Sequence, residues 1–282
     1  MLRFAYNTIG CANHALFDAL DLISGAGYQG VVLTLDVHHM NPFADDFAAN
    51  AERLAGELAR ADLAVTIDTG ARFLLDPRER YEPSLLHPSE EGRARRIEFM
   101  TRAIDLAATL NAEAVTFTAG RVKRNVDQGA AAGWLLDGLA RIADLAADKG
   151  VRVALQPSPG HLVATLDDFK LVRDAARQMT DASLDLSLDV THVAATGERS
   201  PHQAVKEFAT MLRAVSLSGA ERGGQAHLPP GRGDLDIVAV LGALRDVDYE
   251  GLISVKLPEL SHHADEHIPA SIDWLLDNLP SD

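Results

Sequence analysis

Asp189 and His192 stand three positions apart in residues 183–198, SLDLSLDVTHVAATGE. A carboxylate beside an imidazole can ligate a metal, transfer a proton or form an ion pair. Leu184, Leu186 and Leu188 alternate with Asp185, Ser187 and Asp189, so a strand puts the polar residues on one face. The strand gives way to loop at Asp189. The competing reading is that Asp189 caps a turn and His192 is a loop histidine.

Lys256 follows the apolar run Leu252-Ile253-Ser254-Val255, where alternation sets Ser254 and Lys256 on one face. Lysine is seldom buried without a partner. A lysine directed inward needs a counter-charge, which Asp189 can supply; the alternatives are a structural ion pair or a side chain that reaches solvent. Gln156, in VRVALQPSPG, donates and accepts hydrogen bonds but cannot act as a carboxylate base. Ser216 and Ser218 close a further apolar run, and Arg222, His227 and Arg232 follow in the next loop.

These residues belong to strands in a repeating order. Apolar strands are expected over 2–6, 31–35, 63–67, 112–117, 151–156, 183–189, 211–218 and 251–256. Helical patterns are expected over 15–25, 44–61, 92–110, 130–149, 166–179, 201–210, 235–245 and 267–279. Near-continuous apolar strands alternating with helices imply a parallel sheet, and eight units imply a closed (β/α)8 TIM barrel, α/β in class. An open doubly wound sheet fits less well, because no G-x-G-x-x-G turn follows a strand. Residues 1–282 read as one domain, with no linker or change of composition. In such a barrel, chemistry sits at the strand ends.

Composition narrows the function. A formal charge of −15 argues against nucleic acid and anionic membrane as partners. No apolar run approaches the ~20 residues of a membrane span, and no leader pattern opens the chain. The single cysteine, Cys11, excludes an intrachain disulfide and fits a cytoplasmic protein. A small-molecule substrate or ligand is expected; nothing in the residues sets an oligomeric state.

The chain resembles the xylose isomerase-like TIM barrels, the sugar phosphate isomerase/epimerase superfamily, through VRVALQPSPG, LSLDVTHVAATGE, HLPPGRGDLD and YEGLISVKLPE. The resemblance implies one divalent metal (Mn, Mg or Zn) held by Glu, Asp, His and Glu at the ends of strands five to eight. It also implies proton exchange by the two glutamates on a hydroxy-carbonyl sugar. Carried over, those positions fall on Gln156, Asp189, Ser216 and Lys256, so only Asp189 is retained. His192 matches a histidine that touches substrate, and Arg222 falls near a substrate-facing arginine.

One carboxylate and one ammonium cancel without an ion, and Gln156, Asp189 and Ser216 make a poor hard-cation donor set. The expectation is no tightly bound metal or other cofactor. Lys256, His192 and Asp189 are then the catalytic candidates, and Gln156, Ser216, Arg222, His227, Arg232 and Asp68 the substrate-binding ones. Two readings stay open: a metal-independent isomerase or epimerase on a polyhydroxylated carbonyl compound, or a catalytically degenerate relative that binds a metabolite or protein. Burial could lower the Lys256 pKa enough for acid–base or imine chemistry.

Elsewhere, Arg72 could meet an anion, and Arg121, Lys123 and Arg124 could clamp a phosphate. Arg93, Arg95 and Arg96 read as the exposed face of a helix start. His38 and His39 could place one ring at the mouth but read more simply as a loop pair capping the next segment, and the run 261–267, SHHADEH, reads as a helix start rather than a metal site.

Overall fold

A computed structural model describes residues 1–70 and 72–280. Its strands are β1 Arg3–Asn7, β2 Gly30–Thr34, β3 Ala64–Asp68, β4 Val115–Phe117, β5 Val153–Leu155, β6 Asp185–Asp189, β7 Leu212–Leu217 and β8 Leu252–Val255. They pair in parallel and in chain order, with β8 returning to β1 to close the barrel. The helices are α1 Leu16–Gly25, α2 Phe47–Arg60, α3 Glu90–Thr109, α4 Gln128–Asp148, α5 Leu166–Ala176, α6 Val190–Thr196, α7 Pro201–Phe208, α8 Ile237–Asp246 and α9 Ala264–Asp277.

Strand alternation divides the apolar residues. Val65, Ile67, Leu186, Leu188, Ile253 and Val255 belong to the main core, packed with helix residues such as Leu54, Phe99 and Leu241. The opposite faces point into the barrel, where Ala5, Val32 and Leu252 form a small separate cluster with Ala64. Toward the strand ends Thr66, Thr116, Ser187, Ser216 and Ser254 line an internal void of about 10 Å³. Such barrels usually fill this space with bulky branched side chains; here small hydroxyl residues line it.

Two expectations are corrected. The segment after Asp189 is the short helix α6, which Asp189 caps, where loop is expected. The final helix begins at Ala264, so His267 lies inside it. His262 and His263 are exposed, and His263 lies 3.6 Å from Glu266. No described helix is long and apolar enough to cross a membrane.

Candidate active site

Asp189 ends β6 and caps α6 with the same carboxylate. Its Oδ1 accepts from the Thr191 amide at 3.1 Å and the His192 amide at 3.4 Å. Its Oδ2 accepts from Lys256 Nζ at 3.1 Å and lies 3.2 Å from His227 Nε2. Register explains the meeting: Asp189 pairs with Ser216 and Ser216 with Ser254, so Lys256, two residues beyond, faces the same side. The cap and the counter-ion, alternatives in the sequence, are both realised, because the two oxygens point to different partners.

Burial opposes the charge on Asp189, but His192, Lys256 and His227 outweigh it and hold the carboxyl well below the usual carboxylate range. Burial also works against the Lys256 ammonium, whose side chain is 11% exposed. Attraction to Asp189 and Asp68 more than offsets this and raises its pKa. The expectation of a lowered lysine pKa is thereby corrected: Lys256 is held as a cation. Burial, followed by Lys256 and His192, pushes His227 down to about 4 against the pull of Asp189. His227 is therefore neutral at neutral pH, and since a carboxylate can only accept, its proton sits on Nε2. Burial likewise lowers the His192 pKa, with Asp189 opposing.

Asp189, His192 and His227 bring ligand atoms within 4.8 Å of one another, so metal-ligand types are present. The Asp189 carboxylate among them is already engaged. An ionised carboxylate offers about four lone-pair directions, and those of Asp189 meet four N–H groups. An ion at Oδ2 would have to displace the Lys256 ammonium and turn His227 to its other tautomer.

Above this cluster lies a cavity of about 310 Å³ lined by Asp68, Gln156, His192, His227 and Lys256. His192 Nδ1 lies 3.2 Å from Ser158 Oγ and 3.4 Å from Gln156 Nε2. Asp68 accepts from Asn7 Nδ2, Thr34 Oγ1 and the Gly70 amide. Ser216 lies beneath, in the small internal void, 3.4 Å from Ser254 Oγ. Arg222 and Arg232 are exposed and stand outside the residues that line the cavity. The structure thus brings Asp189, His192, His227, Lys256, Gln156 and Asp68 together, and leaves Ser216, Arg222 and Arg232 aside.

Residues not singled out at the sequence level also line it. Arg80 and Tyr81 come from the β3–α3 loop, in which Arg72 was the residue singled out, and Glu259 from beyond β8. Of the expected phosphate clamp, Arg121 lines the cavity while Lys123 pairs with Glu79. Asp36 accepts from the amides of His38 and His39 at 2.9 and 2.8 Å, so the pair is itself capped, and neither histidine is among the residues lining the cavity. Arg96 is a correction: it is 4% exposed rather than on an outer face, because the β3–α3 loop covers the start of α3.

Residues 20–278 match the profile described as xylose isomerase-like TIM barrel. The structure of 3-keto-D-glucoside 4-epimerase from E. coli superposes with a TM-score of 0.78 at 17% identity, covering 98% of this chain and 100% of that one. A structure of L-ribulose 3-epimerase gives 0.78 at 18% identity, covering 99% and 95%. The IOLI protein with a binding zinc atom gives 0.76 at 18%, covering 99% and 98%. At such identities these likenesses speak to the fold.

Proposed function

The chain belongs to the xylose isomerase-like TIM barrel family, and from that premise we propose that it isomerises or epimerises a polyhydroxylated carbonyl compound without a divalent metal, Lys256 standing in the ion's place. The observation that carries this is the Lys256–Asp189 contact at 3.1 Å, at the floor of a cavity lined by His192 and Gln156. A fixed ammonium stabilises an oxyanion where it develops.

In this reading His192, neutral because it is buried, takes a proton from the carbon beside the carbonyl. The C–H electrons form the carbon–carbon double bond, and the carbonyl pair moves to the oxygen facing Lys256. Return of the proton to the former carbonyl carbon gives the isomer, as the adjacent hydroxyl passes its proton to the oxygen at Lys256 and becomes the new carbonyl. Delivery of a solvent proton to the opposite face of the first carbon gives the epimer, as the oxyanion re-forms its carbonyl and His192 releases its proton to water. Gln156 and His227 hold hydroxyls, and Asp189 keeps Lys256 charged and in place.

The binding-only reading rests on Gln156 and Lys256 standing where the resemblance puts two proton-transferring glutamates. Exchange of substrate C–H for deuterium in D₂O, over a panel of ketoses and aldoses, separates the two. We expect exchange and turnover that survive EDTA and fall at least ~100-fold in Lys256→Met. Borohydride should trap no adduct, because a charged lysine forms no imine. Activity restored only by Mn, Zn or Mg after chelation would overturn the metal-free reading, and absence of exchange across the panel would favour the binder.

A further inference from the structure

Arg96 is a buried cation with no carboxylate at ion-pair distance among the described residues, and buried charges are ordinarily paired. Its Nη2 donates to Thr69 O and Thr69 Oγ1, both at 3.2 Å, and the guanidinium lies 5.2 Å from the Phe99 ring centre. Asp68 and Glu82 act on it electrostatically without reaching ion-pair distance. Arg96 lines a second cavity of about 280 Å³, together with Arg80, Arg121 and His161. This cavity shares Gly70, Arg80, Tyr81, Thr118, Arg121 and His161 with the one over Lys256, so the two adjoin.

The other charges there are already engaged or leave an excess of positive ones. Glu82 accepts from the Ser84 amide and hydroxyl and lies 3.8 Å from Lys123. Asp68 is spent on Asn7, Thr34 and Gly70. Glu259 is exposed at the outer cavity. Arg80 lies over the Tyr81 ring, and neither it nor Arg121 has a carboxylate at ion-pair distance among the described residues. His161 Nδ1 accepts from the Gly120 amide at 3.3 Å, which leaves Nε2–H of the neutral ring as a donor.

Resting on the proposed enzyme reading, we infer that the substrate carries a carboxylate or phosphate, bound by Arg96, Arg121 and Arg80 at the end of the cavity remote from the reacting carbonyl. Guanidinium groups suit either anion through paired N–H donors. The substrate class is then a sugar acid or a sugar phosphate, not a neutral sugar.

Calorimetric titration tests this with inorganic phosphate and two matched pairs, D-glucuronate against D-glucose and D-ribulose 5-phosphate against D-ribulose. Phosphate and at least one charged sugar should bind saturably, the charged member at least tenfold tighter than its neutral partner. Which pair responds identifies carboxylate or phosphate as the natural anion. Arg121→Gln and Arg80→Gln alter exposed side chains and should each weaken the anion about tenfold, with folding checked by circular dichroism. Lys256→Met should keep the anion preference while losing turnover, which separates this inference from the enzyme reading. Equal affinity for charged and neutral partners, no saturable binding of any of the three anions, or unchanged anion affinity in both arginine variants would overturn it. Turnover of a neutral sugar that depends on Lys256 would likewise overturn the subsite and leave the enzyme reading intact.

Discussion

Lys256 and Asp189 illustrate why removing one member of a buried pair costs more than the pair contributes. Asp189 is 2% exposed, so Lys256→Met leaves a buried carboxylate with two backbone amides and His227. Losing one partner of a buried ion pair costs about 3–5 kcal/mol. Adding Asp189→Asn should recover much of that: its amide oxygen still caps α6, and His227 can shift its proton to Nδ1. Urea unfolding of the two variants checks this, and a Lys256→Met loss near the ~0.5 kcal/mol of surface changes would contradict it. Residue types were legible in the sequence here, but shared use was not. Whether Asp189 caps or pairs looks exclusive until two divergent oxygens are seen. Arg96 failed for another reason: its burial comes from the preceding β3–α3 loop folding back over it, which the pattern of its own helix does not report.

At the scale of elements, strand alternation was the legible signal. It fixed which faces of β6 and β8 turn inward and so placed Asp189 and Lys256 together. Helix α6, seven residues long, has too few turns to show a period. The β7–α8 loop was legible only as a motif; its role is to deliver His227. Gly219 bridges Leu228 and Ala220 bridges Gly233, folding the loop back over the strand end. Gly233 has φ +82°, and a Cβ there would lie 2.3 Å from the Ala220 carbonyl oxygen. Gly233→Ala therefore meets both backbone strain and a backbone clash. We expect a loss of about 1–3 kcal/mol and a His227 pKa that moves from about 4 back toward 6.5 as the ring leaves Asp189 and its buried setting. Imidazole NMR titration reads the second effect, and an unchanged His227 pKa in a destabilised variant would show that the loop does not position it.

Across the whole molecule, the barrel mouth gathers basic groups that are buried in neutral form, and this sets how stability responds to acid. His161 falls from an ordinary 6.5 to about 4 through burial, aided by Arg121, His192 and Arg96; His227 falls equally far, and His192 is lowered too. Unfolding releases these rings to water, where they take up protons that the folded state refuses. Between pH 6.5 and about 4 the unfolded chain binds more protons, so stability falls as pH is lowered through that window. Above pH 6.5 this contribution is fully present. The slope is at most ~1.4 kcal/mol per pH unit for each such ring. Asp189 adds a further loss at lower pH, since its depressed pKa favours folding only while it is ionised. Protonation also relieves the repulsion of a chain carrying −15, which acts in the opposite direction. Comparing variants isolates the histidines from that background. His161→Gln and His227→Gln should each flatten the dependence of unfolding free energy on pH between 6.5 and 4.5, measured by urea denaturation, while leaving the region above pH 7 level. A slope unchanged in both variants would place the acid sensitivity at the carboxylates and not at the buried rings of the mouth.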